Sequence, residues 1–438
     1  MGGSHNVAVI GAGVAGLIAA RELQNEGHRV VIFEKSDKLG GLWVYDSRVE
    51  SDELGYDPTR EIIHSSVYKS LRTNLPRVLM EFSGFGFADR QYGDPRTFPG
   101  HQEVLEYLND FAIRYRIIEL IRFESEVIRV ERVGDRVDSW LVEWQVKEEG
   151  RRVKLEQEVF EAVVICNGHC TVPRVARIPG IEKWPGKQIH SHNYRVPEPF
   201  HNQVVVIIGN GASAYDISRD ISKAAKEVHV SSRSPNAKFS KLDHYHNIWQ
   251  HSSIADAKQD GTITFDDGSS VQASIIMHCT GYFCWRSIYS VDSFHRYKYE
   301  CPFLNTNGIV SIDDNRVGPL YKHVFPPELG PWLSFVGLPQ KILIFDTMEL
   351  QSKWIAIVLS DQVRLPEPKK MMEEVHEYYE QMKLLKRPKH LTHYLLNPEE
   401  YLDCLAAEAG ISPLEDWRKE VYRETVKNLE NQQDFRDV

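Results

Sequence analysis

Residues 6–34 constrain this chain more than any other stretch. Val7-Ala8-Val9-Ile10 is a short apolar run, followed at once by Gly11-Ala12-Gly13-Val14-Ala15-Gly16. Residues 17–24 read as a helix, and a second apolar run, Val30-Val31-Ile32-Phe33, ends on Glu34. Strand, glycine turn, helix, strand and acid is the order of a βαβ dinucleotide-binding unit. Gly11 suits the tight turn, Gly13 lets backbone reach a pyrophosphate, and Gly16 lets the helix pack closely on the strand. The first N–H groups of the helix have no partner within it and are left for the anion. Glu34, twenty-three positions after Gly11, is placed to accept hydrogen bonds from a ribose.

A second unit of the same design lies farther along. A strand at 204–208 leads into Gly209-Asn210-Gly211-Ala212-Ser213-Ala214, a helix to residue 225, and a strand at 227–230 that ends on Ser231-Ser232-Arg233. Arg233 stands twenty-four positions after Gly209, where the first unit has its acid. A guanidinium there suits a 2′-phosphate, whereas the Glu34 carboxylate repels one. Soon after Glu34 comes Gly40-Gly41-Leu42-Trp43, a further glycine pair that allows backbone to approach a flat ligand beyond the pyrophosphate. An isoalloxazine meets that description. The first unit is therefore expected to hold FAD and the second NADP.

Cys166-Asn167-Gly168 and Cys279-Thr280-Gly281-Tyr282 close the strands that end each insertion and read as the two crossovers between domains. The expected fold class is α/β with two Rossmann-like domains, the NADP domain inserted in the FAD domain. Residues 1–172 form the first part of the FAD-binding domain and 173–282 the NADP-binding domain. Residues 283–438 supply the second FAD part and the C-terminal helices. Among the latter, 350–360 reads as helical. The 369–385 segment reads as an amphipathic helix with Met372, Val375, Tyr379 and Met382 inward. Ser412-Pro413-Leu414-Glu415 has capping-box spacing before a last helix through Trp417 and Val421.

Several function classes are excluded. A formal charge of −10 with no basic stripe argues against a nucleic-acid partner. No apolar run approaches the ~20 residues of a membrane helix, so no membrane anchor is expected. Six scattered cysteines without a secretory leader read as reduced, cytoplasmic thiols. Cys166 and Cys170 lack redox-pair spacing, His244, His246 and His251 lack a cysteine or carboxylate at ligand spacing, and no G-x-S-x-G elbow is present. No metal site is expected. With FAD beside NADP and no evident acid–base pair, the flavin itself must carry the chemistry.

These motifs resemble those of the flavin-containing monooxygenases. Trp184-Pro185-Gly186, His190 and Tyr194 are similar to that family's fingerprint, Phe-x-Gly-x-x-x-His-x-x-x-Phe/Tyr, with Trp184 in place of Phe. Tyr194 rather than Trp separates the chain from the related Baeyer–Villiger enzymes. The segments Tyr56-Asp57-Pro58-Thr59-Arg60-Glu61-Ile62, Ser70-Leu71-Arg72-Thr73-Asn74-Leu75-Pro76 and Glu349-Leu350-Gln351-Ser352-Lys353-Trp354 resemble the plant S-oxygenating branch. That branch oxidises methylthioalkyl glucosinolates and S-alk(en)yl cysteines.

The resemblance implies a mechanism. NADPH reduces FAD, dioxygen adds as a flavin C4a-hydroperoxide, NADP+ remains bound, and a thioether sulfur takes the distal oxygen to give a sulfoxide. The partners implied are a small thioether and dioxygen, with the oligomeric state open. Asn74 matches the family's active-site asparagine and is the expected catalytic residue. The expected cofactor-binding set is Gly11, Gly13, Gly16, Glu34, Gly40, Gly41, Leu42, Trp43, Thr73, Asn74, Gly209, Gly211, Ala212, Ser213, Ser232, Arg233, Thr280, Gly281 and Gln351. N-oxygenation of a small amine is the nearest alternative. An NADPH oxidase or reductase without substrate oxygenation, and a non-catalytic dinucleotide scaffold, also satisfy the residues.

Overall fold

The computed structural model describes residues 3–57, 59–134, 136, 138–147, 153–234, 238–283, 303–430 and 436. Packing divides the chain into two compact units. The first comprises Met1–Val44, Leu75–His169 and Cys284–Lys427, and the second Tyr45–Asn74, Cys170–Phe283 and Asn428–Val438. Residues 45–74, which the sequence assigns to the first part of the FAD-binding domain, thus group with the inserted segment, as does Arg436.

The first unit is built on a five-stranded parallel sheet in the order Leu333–Phe335, Ala162–Ile165, Asn6–Ile10, Arg29–Phe33, Ile121–Arg122. The strand Asn6–Ile10 is central, paired from Ala8↔Val31 on one side and Ala8↔Val163 on the other. Both its faces are covered, which is why its apolar run is continuous rather than alternating. Val7 and Val9 face one core, with Leu17, Leu108, Phe111 and Trp354 from the helices Val14–Asn25, His101–Arg114 and Ile344–Leu359. Ala8 and Ile10 face the other, with Val130, Trp140, Val142 and Trp144 from an antiparallel sheet over Ser125–Arg132, Trp140–Lys147 and Val153–Phe160. The period of two in a strand makes that division.

The second unit repeats the plan. Its sheet runs Ser240–Lys241, Ile248–His251, Glu227–Ser231, Val204–Ile208, Ile275–His278, Lys187–His190, parallel except for the first edge strand. Val205 and Ile207 pack toward the helix Ala212–Ile221, with Ile217 and Ile221. Val206 and Ile276 pack on the other face, with Ile263 and Phe265 of a three-stranded antiparallel sheet.

Three C-terminal expectations are corrected. The helix expected over 350–360 begins earlier and spans Ile344–Leu359. The amphipathic helix spans Pro368–Leu384 and buries Met371, Val375 and Met382. Met371 replaces Met372 on the inward face because four and eleven residues separate it from Val375 and Met382, whole numbers of turns to within a small angle. The last helix begins at Asp416, so Ser412 is not its cap. Glu415 occupies that place: its C=O accepts from Arg418 N–H at 3.0 Å and its carboxylate from Trp417 Nε1 at 2.9 Å.

Candidate functional site

In the first unit the glycine turn is closed by backbone. Gly11 has φ +106°, and a Cβ there would stand 2.6 Å from the Cys166 carbonyl oxygen, so only glycine is accommodated. A Cβ on Gly16 would stand 1.9 Å from the Gly11 oxygen, the cost of packing helix on strand. Gly13 differs. It is extended, and a Cβ would meet nothing nearer than the Gly41 Cα at 3.7 Å. Open space lies over Gly13, and the helix it opens has no side-chain cap, its first internal bond being Leu17 N–H to Gly13 C=O. The first-turn donors are left for an anion, and a pyrophosphate fits.

Glu34 braces this turn. Its buried carboxylate accepts from Ala12 N–H at 2.9 Å and from Ser36 N–H and Oγ–H, both at 2.9 Å. Oε1 takes both Ser36 bonds, so Oε2, which accepts only from Ala12, keeps acceptor capacity for a ribose hydroxyl. The pair Gly40-Gly41 packs on the turn itself, with Gly40 N–H bonded to Ala12 C=O and a Gly41 Cβ position 3.0 Å from the Gly13 Cα. It therefore brings backbone to backbone at the mouth of the site. Leu42 beyond it is exposed and Trp43 leans on the core. Gln351 is held inside the protein: its Oε1 accepts from Gly337 N–H at 2.9 Å and its Nε2 donates to Tyr401 Oη at 2.8 Å. Its evident work is to fix the Gly337 turn.

The second unit builds the same turn. Gly209 has φ +131°, and its Cβ would stand 2.3 Å from the Cys279 carbonyl oxygen, as Gly11 does toward Cys166. Gly211 is exposed, with nothing within 4 Å of a Cβ, and Ala212 opens an uncapped helix with Ser213 exposed in its first turn. Ser232 N–H is bonded to His251 C=O, while Arg233 is exposed with no bonded partner among the described residues. Thr280 Oγ1 donates to the Arg174 carbonyl, and Gly281 follows at φ +81°.

The aromatic-and-histidine segment explains itself as a set of ties within this unit. Trp184 Nε1 donates to Gly261 C=O at 3.2 Å, and its ring covers Gly186, where a Cβ would be 2.1 Å away. His190 Nδ1 accepts from His192 N–H, so its Nε2–H donates to Gly281 C=O at 3.0 Å. Tyr194 Oη donates to Asp220 at 2.7 Å. Burial lowers His190 to about 3 and His278 and His251 to about 4. These rings fold neutral, whereas the unfolded chain protonates them near the ordinary 6.5. Their contribution is fully present above that pH and is lost as pH falls from 6.5 toward 4, by about 1.4 kcal/mol per pH unit for each ring. Urea midpoints should therefore drop steeply between pH 6.5 and 5, and His278→Gln should flatten the drop. Stability level from pH 7 to 5 would refute it.

Asn74 is half-buried beside the buried Thr73. Its Oδ1 accepts from Arg436 Nη2, and no protein partner is recorded for its Nδ2 among the described residues. Arg436 in turn lines a cavity of about 420 Å³, with Tyr68, Arg72, Tyr215, Arg219 and Tyr245 among others; Asn74 itself does not line it. Sequence reasoning missed Arg436 and Asp216, because nothing in their local spacing marks them. Among the described residues no group of three or more His, Cys, Asp or Glu could hold a metal, and no helix is long and apolar enough to cross a membrane.

Known proteins similar to this chain show its family. The family described as Flavin-binding monooxygenase-like matches residues 4–250 and 252–415. Flavin-containing monooxygenase FMO GS-OX-like 3 of Arabidopsis thaliana is 51% identical over 423 residues, covering 95% of this chain and 90% of the relative. A solved structure of S-allyl-L-cysteine S-oxygenase from Allium sativum is 50% identical with a TM-score of 0.93, covering 100% of this chain and 95% of that one. The Tmm structure from Pelagibacter sp. strain HTCC7211, 24% identical with a TM-score of 0.72 over 98% of this chain and 89% of that one, shares the fold.

Proposed function

The chain belongs to the flavin-binding monooxygenase-like family, and we propose that it oxygenates a small thioether at sulfur. It is an NADPH- and dioxygen-dependent enzyme whose cofactors are FAD and NADPH. The observation that carries the choice of sulfur is the match along the whole chain, at 50% identity, to a protein named for S-oxygenation of S-allyl-L-cysteine. In balance, thioether, dioxygen, NADPH and a proton give sulfoxide, water and NADP+. Bound FAD supplies the redox chemistry that activates dioxygen.

The chain's own residues bind and orient. In this reading Gly11, Gly13, Gly16, Gly40, Gly41, Leu42 and Trp43 form the FAD cradle, with Glu34 turned to the ribose. Gly209, Gly211, Ala212 and Ser213 take the NADP pyrophosphate, Ser232 and Arg233 its 2′-phosphate, and Thr280 with Gly281 the edge of that site. Thr73 and Asn74 face the chemistry, and Gln351 supports the cradle from behind. Residues 173–282 then form the NADP-binding domain within an FAD-binding domain. Cys166, Cys170, Cys279 and Cys404 form no disulfide, which fits a cytoplasmic location.

Incubation with NADPH and a panel of thioethers and amines, with identification of the product, tests the reading. A sulfoxide formed in step with NADPH use supports it. An amine N-oxide or hydroxylamine alone would move the enzyme to nitrogen, and peroxide alone would make it an oxidase.

Arg233→Ala should weaken NADPH about ten- to a hundredfold and NADH little, since a charge-assisted bond contributes about 1.5–3 kcal/mol. Equal losses for both nucleotides would remove Arg233 from the 2′-phosphate.

A further inference from the structure

We propose that Arg436, near the C-terminus, is a positioning residue that fixes the orientation of the Asn74 amide, with Asp216 as its anchor. The inference rests on the reading of Asn74 as the residue that faces the chemistry.

The contacts form one continuous chain within the second unit. Arg436 Nε donates to the Thr73 carbonyl at 2.9 Å. Its Nη1 and Nη2 grip Asp216 as a fork, at 2.5 Å to Oδ1 and 2.9 Å to Oδ2, and Nη2 also donates to Asn74 Oδ1. Asp216 is held in turn by Tyr68 Oη, which donates to Oδ2 at 3.1 Å. Burial, reinforced by that carboxylate, keeps the Tyr68 phenol protonated and therefore a donor. Arg72 Nη2 donates to the Arg436 carbonyl at 3.2 Å. Arg436 and Asp216 side chains are 13% and 11% exposed, so the guanidinium is shielded rather than lying loose on the surface.

The consequence for Asn74 follows from what each group can do. An amide has one acceptor end and one donor end, and a guanidinium only donates. With Arg436 in place the amide cannot flip, because its NH₂ would then meet N–H donors and a positive charge. Oδ1 is committed to Arg436, and Nδ2 is what Asn74 presents. Asp216 lies on the helix Ala212–Ile221, whose N-terminus belongs to the second glycine turn. The orientation of Asn74 is thus fixed to the element that carries the proposed NADP site, through a residue more than 350 positions away in sequence.

Arg436→Ala, Arg436→Lys and wild type should be compared in two ways. The first uses the FAD-loaded enzyme with NADPH and a thioether. In Arg436→Ala the share of NADPH recovered as sulfoxide should fall about tenfold, a fraction of what loss of an oriented donor costs, with hydrogen peroxide making up the difference. Added guanidinium ion should restore much of the share, and Arg436→Lys should lie between. A merely structural role would not be rescued by a free guanidinium. The second uses the apoprotein, with hydrogen exchange followed across residues 68–76. Arg436→Ala should raise exchange there severalfold and leave the sheet strands unchanged. If Arg436→Ala does not fold, Arg436→Lys carries both comparisons. Full coupling in the variant, or unchanged exchange at 68–76, would overturn the proposal. Absence of sulfoxide in the wild type would instead overturn the thioether reading, while the exchange arm still reports on Arg436 and Asn74.

Discussion

Asn74→Ala will bind FAD and consume NADPH but release hydrogen peroxide in place of sulfoxide. The side chain that is lost offers an amide nitrogen with no protein partner among the described residues, held in one orientation by Arg436. Removing one preorganised donor from a site where charge develops costs about 10²–10³ in rate. The turns at Gly11 and Gly209, proposed to take the two pyrophosphates, are closed by the Cys166 and Cys279 carbonyls and should survive the loss of this amide. The loss should therefore appear as leakage rather than as a dead enzyme. The measurement is sulfoxide formed per NADPH consumed, with peroxide assayed in parallel. An unchanged ratio in a folded variant would make Asn74 a turn residue and nothing more.

The second large effect is at Gly13. Gly13→Val should purify colourless, or fail to fold, while wild type is yellow with one FAD per chain. A Cβ at Gly13 meets only the Gly41 Cα at 3.7 Å, so the branched side chain stands in the space the pyrophosphate needs. Two lost charge-assisted bonds, at about 1.5–3 kcal/mol each, lower affinity by about 10²–10⁴. Gly211→Val is the matched control, because a Cβ there has no atom within 4 Å. It should keep its colour and lose NADPH. Gly16→Ala should instead unfold the unit, its Cβ falling 1.9 Å from the Gly11 oxygen. Full flavin content in Gly13→Val would place the cofactor elsewhere.

Some of this was legible residue by residue and some was not. The strand Val204–Ile208 stands as expected, and the helix after Gly13, expected over 17–24, spans Val14–Asn25. In both places glycine spacing and a buried apolar run point the same way. Gly40-Gly41 was read as an approach to a flat ligand, yet it also packs against the first turn, with Gly40 N–H on Ala12 C=O. Gln351, expected at the cofactor, ties Gly337 N–H to Tyr401 Oη through its amide, a link no local spacing shows. Met371 and Met372 differ by one place in a helix, and a single step of 100° decides which is buried.

By itself the sequence determined what local chemistry can specify. Two βαβ units are each written within about thirty residues, and the proposed assignment of their ligands rests on the acid at Glu34 against the cation at Arg233. Tertiary structure decided what depends on distant parts of the chain meeting. Cys166 and Cys279 supply the carbonyls that make Gly11 and Gly209 obligatory, from strands far along the sequence. Arg436, Asp216 and Asn74 form one hydrogen-bonded group although 220 and 362 positions separate Arg436 from the other two. A motif is legible when its geometry is set by neighbours along the backbone. A contact closed across a sheet or from a chain end leaves no local spacing, because folding alone brings its members together.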